Sequence, residues 1–127
     1  MYPPVFDAVN VPAVQALLKP AGGPLRFYLF GEAPQKVQLP YAVWRLVFGA
    51  PENYLGGAPD IDGYTIQIDV YVSPEDANPS QTCRSIAQAL RDEIEKVAYV
   101  TSWLGESRDP DTKNYHLGFQ ADWLVNR

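Results

Sequence analysis

The 127-residue sequence predicts an α+β fold: a mostly antiparallel five-stranded sheet, in the order helix, three strands, helix, two strands, with two helices packed on one face. Three observations lead there. From Tyr64 to Val72 apolar and polar residues alternate with a period of two, as in a strand with one face buried. Cys83, Ile86, Ala87, Leu90, Ile94 and Val97 then recur at helical spacing, with Arg84, Arg91, Asp92 and Glu95 on the opposite side. Finally, two β-prone stretches at 98–104 and 115–125 flank a polar loop at 105–114 and predict a hairpin.

The first helix is expected to start at Asn10 as N-cap, with Pro12 in its first turn and Val11, Val14, Leu17 and Leu18 on one face. Pro20 and Gly22-Gly23 end it. The short β-prone run 25–30, bounded by Pro24 and Gly31, predicts strand one. Strand two is predicted over 41–48, with Ala42, Trp44, Leu46 and Phe48 on one face and Tyr41, Val43, Arg45 and Val47 on the other. After the turn-rich segment 49–63 comes strand three, with Thr65, Gln67, Asp69 and Tyr71 on its polar face. Asn78-Pro79-Ser80-Gln81 has the pattern of a capping box for the second helix. In the last strand Tyr115, Leu117, Phe119, Ala121, Trp123 and Val125 share a face. None of the twelve prolines falls inside a stretch that otherwise reads as a strand, so they punctuate short elements.

Composition narrows the class. A chain of this length fits one domain spanning 1–127 with a core of its own. A formal charge of −5 and the lack of any Lys/Arg cluster disfavour tight binding to a phosphate backbone, although a like-charged wall would let DNA pass without sticking. The single Cys83 excludes an intrachain disulfide. The N-terminal residues lack the basic start and apolar run of a secretory signal, and the apolar stretches are too short to span a bilayer. A soluble protein made in a cytoplasm, with no membrane partner, is expected.

No set of residues assembles acid, base and nucleophile. His116 is the one histidine and falls on the polar face of the last strand, so an exposed or interface role is expected. Cys83 falls on an apolar helix face, where a thiol behaves as a small hydrophobe. Asp109-Pro110-Asp111 opens like a calcium loop, but Asn114 and Gln120 stand where the turn glycine and the bidentate acid belong. Glu52, Asp60 and Asp62 could together approach a hard cation, yet solvated charges are the simpler expectation. Gly22-Gly23 and Gly56-Gly57 fit turns and lead into no phosphate-binding helix. The tryptophans Trp44, Trp103 and Trp123 alternate with polar neighbours as core strand residues do. No enzyme activity, metal or cofactor is expected.

Several stretches together resemble the tail-completion (tail-terminator) proteins of long-tailed bacteriophages. They are Val14-Gln15-Ala16-Leu17-Leu18; Ala33-Pro34-Gln35 followed by Pro40-Tyr41-Ala42-Val43-Trp44; Pro51-Glu52-Asn53-Tyr54-Leu55 with Asp60-Ile61-Asp62; Gln67-Ile68-Asp69-Val70-Tyr71; and Ala89-Leu90-Arg91-Asp92. Their order and spacing extend over about two-thirds of the chain, whereas the final hairpin matches only as a pattern of strands. The resemblance implies a structural virion protein of the tail or neck, assembled in the host cytoplasm into a ring, usually of six copies. Such a ring caps the head-proximal end of the tail tube, stops tube polymerisation and joins the head connector. Its implied partners are copies of itself, the tail tube protein and the head–tail connector protein, with DNA passing through the lumen without specific binding.

A closed ring needs two different complementary patches on each copy. The candidate interface residues are the polar strand face Thr65, Gln67, Asp69 and Tyr71 and the neighbouring loop residues Gln35, Glu52, Asp60 and Asp62. Another connector or baseplate subunit, or a small ligand-binding domain or enzyme, remains as an alternative. The last of these requires a pocket of convergent polar groups around His116, Asp60 or Asp62.

Overall fold

The computed structural model describes residues 2–52, 56–58 and 60–127; Asn53, Tyr54 and Leu55 of the third matching stretch lie outside them. The elements are α1 (Val5–Val9), α2 (Pro12–Leu18), β1 (Phe27–Leu29), β2 (Tyr41–Pro51), β3 (Ile61–Val72), α3 (Pro79–Ile94), β4 (Tyr99–Arg108) and β5 (Tyr115–Asn126). One sheet carries all five strands in the order β1-β2-β3-β5-β4. β1 runs parallel to β2, and the remaining neighbours are antiparallel. This is the predicted α+β architecture, with one more helix.

The helices cover one face of the sheet. β3 and β5 send Ile66, Ile68, Val70 and Val72 and Leu117, Phe119, Ala121, Trp123 and Val125 into the core. They meet Cys83, Ile86, Ala87, Leu90 and Ile94 of α3, Val5 and Val9 of α1, and Val14 and Leu18 of α2. Each fully buried aliphatic side chain contributes about 1.5–3 kcal/mol over its exposed state. The alternation in β3 and β5 and the helical repeat in α3 therefore do most to fix which face is inside.

Local details depart from the sequence-based expectations. Asn10 does not cap the first predicted helix; it closes α1, a helix that the pattern did not reveal, and the extended Val11 is the N-cap residue of α2. Leu17 lies outside the core at 38% exposure. β1 is shorter than predicted because only Phe27, Tyr28 and Leu29 pair with β2. α3 begins after Asn78 with Pro79 in its first turn, as expected, but the capping-box hydrogen bond is absent. Asp76 Oδ1 instead accepts from the Asn78 amide at 2.9 Å and from Thr82 Oγ1 at 2.9 Å. α3 stops at Ile94, which leaves Val97 exposed.

Three strands are several residues longer than the sequence indicated, so both ends of the expected turn segment 49–63 are strand: β3 starts at Ile61 rather than Tyr64 because Ile61, Asp62 and Gly63 pair with β5. β2 continues to Pro51, and a register shift between Leu46 and Phe48 turns Phe48 away from the face of Ala42, Trp44 and Leu46. That residue count of two against one is a β-bulge. β4 runs to Arg108, into the first four residues of the region expected to be loop, and is kinked by register shifts on either side of Ser102 and Trp103. Gly105, at φ +83°, sits in the second irregularity, in a backbone conformation that side chains resist. Of the three tryptophans, Trp123 is core at 5% exposure, Trp44 is half-buried, and Trp103 is exposed at 45% while touching the ring of buried Phe119.

Candidate functional site: the helix-free face of the sheet

The face opposite the helices carries a connected polar cluster at the middle of the sheet. Strand alternation puts Arg45 of β2, Gln67 and Asp69 of β3 and His116 and Gln120 of β5 on this side. Asp69 is its centre and is almost fully buried, at 9% exposure. Gln67 Nε2 donates to both Asp69 carboxylate oxygens at 3.1 Å, while His116 Nε2 lies 2.6 Å from Oδ1. Arg45 Nη2 and Gln120 Nε2 both donate to Gln67 Oε1, at 3.2 and 3.3 Å. Ser107 of β4 reaches His116 Nδ1 at 3.0 Å. The chain of contacts crosses four strands, and a buried carboxylate is tolerable because both of its oxygens have polar partners.

An aromatic row borders the cluster. Tyr41 stacks on Tyr71 with ring centroids 5.1 Å apart, and Tyr71 contacts the His116 ring at 5.0 Å. Burial raises the phenol pKa of both tyrosines, and the Asp69 charge adds to the rise at Tyr71. Phe30, Gly31 and Ala33, from the end of β1 and the following loop, rim a shallow concavity of about 440 Å³ over these side chains. Further along, Thr65 Oγ1 donates to Asp122 Oδ1 at 2.8 Å.

Ser107, His116 and Asp69 have the composition of a nucleophile–base–acid relay. Their connection is reversed from the serine-protease arrangement, however, in which the imidazole Nε2 serves the serine and Nδ1 the aspartate. Asp69 is also taken up by the Gln67 amide. Such a network is suited to fixing the positions of four strands and presenting a defined polar surface.

The structure brings together half of the candidate interface residues and separates the rest. Gln67, Asp69 and Tyr71 belong to the cluster, and Thr65 lies on the same face two residues before Gln67. Glu52 follows β2 directly, its amide bonded to the Ile61 carbonyl, and lines a small hollow with Thr65, Phe48 and Leu124. Gln35 is exposed in a turn of the β1–β2 loop, outside the concavity.

Asp60 is an exposed bend whose carbonyl accepts from the Arg127 amide. Asp62 faces the helix side, in line with Tyr64 and Ile66, and binds the Arg127 guanidinium at 3.0 Å. That guanidinium holds the Asp62 carboxyl below its ordinary pKa. Glu52, Asp60 and Asp62 are thus dispersed, and among the described residues no group of three or more His, Cys, Asp or Glu side chains is placed to hold a metal ion.

Sequence reasoning placed His116 on the polar face without its partners, and it passed over Arg45, Ser107, Gln120 and Gly118. The same alternation that marks the buried side of β5 assigns His116, Gly118, Gln120 and Asp122 to the polar side, so most of that signal was present.

The other sheet-level feature is a pair of apolar edges. At one end of the sheet, Leu46, Val47 and Phe48 of β2 are 39%, 44% and 64% exposed; at the other, Tyr99, Trp103 and Leu104 of β4 are 71%, 45% and 43% exposed. Among the described residues no helix is long and apolar enough to cross a membrane. The family model of the tail completion protein gp17 matches residues 5–126, nearly the whole of this fold. Among curated proteins nothing matches.

Proposed function

The chain belongs to the tail completion protein gp17 family, and from that premise we propose that it is a tail component of a phage virion that closes the head-proximal end of the tail tube as a ring of six copies. In this role it stops tube polymerisation and joins the tube to the head connector. The observation that carries the ring is the pair of exposed apolar edges on opposite sides of the sheet, around Phe48 and around Tyr99. A head-to-tail ring requires two different patches on each copy, displaced from each other, because every interface joins one patch to the other.

Exposed apolar clusters of this kind mark contact surfaces. The polar face centred on Asp69 supplies a hydrogen-bonded surface between the edges, suited to contact with tube or connector. The formal charge of −5 per copy multiplies in a ring, and acidic groups facing inward repel passing DNA.

Native mass spectrometry of the purified protein, alone and with tail tubes added, tests this reading. A closed oligomer, or a density capping one end of each tube in electron micrographs, is expected. A strict monomer that leaves both tube ends bare would overturn it.

A further inference from the structure

We infer that neighbouring copies join through their sheets, β4 of one copy pairing antiparallel with the bare part of β2 on the next and setting Tyr99 against Phe48. The inference rests on the ring reading and names its interface.

Strand direction is the first reason. β2 and β4 bound most of the sheet's length, and the antiparallel steps from β2 to β3, β3 to β5 and β5 to β4 make them run oppositely. Rotation about an axis along the strands keeps every strand's direction. It therefore brings β4 of one copy beside β2 of the next in antiparallel orientation.

Both edges are also open. β1 takes only the start of β2: its register ends at Leu29 opposite Trp44, with one further bond from the Phe30 amide to the Trp44 carbonyl. Among the described residues nothing pairs with that side of β2 from Arg45 to Pro51, and β4 pairs with β5 alone. Long edges are ordinarily protected by Lys, Pro or other charges. The bare stretch is bounded by Arg45 and Pro51 and bulged at Val47, but residues 46–50 (Leu-Val-Phe-Gly-Ala) and 99–104 (Tyr-Val-Thr-Ser-Trp-Leu) carry no charge and no proline.

The third reason is level. Following the registers across the sheet, Phe48 pairs with Thr65, Thr65 with Asp122, and Asp122 with Tyr99. The adjoining row runs Leu46, Ile66, Ala121, Val100 on the helix side. Each row thus ends in an apolar side chain at both edges, on the same face and at the same height. Cyclic symmetry has no translation along its axis, so row meets row over Arg45–Phe48 and Tyr99–Ser102, and from Trp103 onward β4 lies level with the part of β2 that β1 covers.

A disulfide trap tests the register. Facing residues in antiparallel strands have Cβ atoms about 4.5–5.5 Å apart, so a Phe48→Cys/Tyr99→Cys double variant treated with diamide should give a ladder of covalent oligomers on a non-reducing gel. The Phe48→Cys and Tyr99→Cys single variants should stay monomeric, and their mixture should stop at dimers. Phe48→Lys and Tyr99→Lys, at positions 64% and 71% exposed, should keep the wild-type circular dichroism spectrum and lose the closed oligomer. If the wild type assembles while the double cysteine variant gives no ladder, or if both lysine variants assemble normally, the edge pairing is wrong and the ring reading stands. If the wild type forms no oligomer alone or on tubes, the ring reading falls and this interface with it.

Discussion

Gly118 faces Asp69 directly across the β3–β5 ladder, and a β carbon built on it would sit 2.6 Å from Asp69 Oδ1. The missing side chain is what lets the carboxylate lie flat over β5 and meet His116 and Gln67. The same added carbon would approach the Ile68 carbonyl and Leu104 Cδ1 at 3.3 Å, so the new methyl is crowded on more than one side.

Gly118→Ala should therefore destabilise the fold by about 1–3 kcal/mol, the usual range for overpacking a filled site. It should also break the Asp69–His116 contact. Urea unfolding gives the first quantity and the His116 ring shifts in NMR spectra the second. A variant as stable as the wild type with unmoved His116 resonances would show that Asp69 is not confined by this glycine.

How much of this was legible beforehand depends on the range of each interaction. The buried faces of β3, β5 and α3 follow from periodicity in a single segment, so Ile66 to Val72, Leu117 to Val125 and Cys83 to Ile94 are found inside as expected. α1 was missed because five residues after Pro3-Pro4 give only the pair Val5 and Val9 as a helical signal. The turning of Phe48 was hidden because the bulge at Val47 exists only in register with β3. The polar cluster joins residues 45, 67, 69, 107, 116 and 120, and no local pattern connects positions so far apart. The family resemblance succeeded for the opposite reason: short stretches in fixed order survive without any knowledge of contacts.

Cys83 lies under α3 at 3% exposure, with its thiol directed at the Val70 carbonyl at 3.8 Å. Burial, reinforced by the Glu106 charge, pushes its pKa up to about 11. Because thiolate is the reactive form, the native protein should react with Ellman's reagent at pH 8 at least tenfold more slowly than the same protein in denaturant, where the thiol returns to about 8.5. Equal rates in both conditions would mean that the α3–sheet contact opens freely around Cys83.

Acid should weaken the fold through its surface clasps. Arg127 lowers the Asp62 pKa from 3.8 and Arg84 lowers that of Glu106 from 4.5, in each case chiefly through a direct side-chain hydrogen bond. A carboxyl whose folded pKa is depressed adds stability that is fully present above its unfolded pKa and is lost as the pH falls through the folded value. The window thus opens below about pH 5 and continues downward past the unfolded carboxyl values. The two clasps hold different places: Asp62 ties the chain's last residue to β3, and Glu106 ties the kinked end of β4 to α3. Arg127→Ala and Arg84→Ala should each lower the thermal midpoint at pH 7 by a small amount, since exposed pairs are screened by solvent, and leave it nearly unchanged at pH 3, so that the fall between pH 5 and pH 3 is shallower. Melting curves collected across that range decide the matter, and a slope unchanged in both variants would place the acid sensitivity elsewhere in the fold.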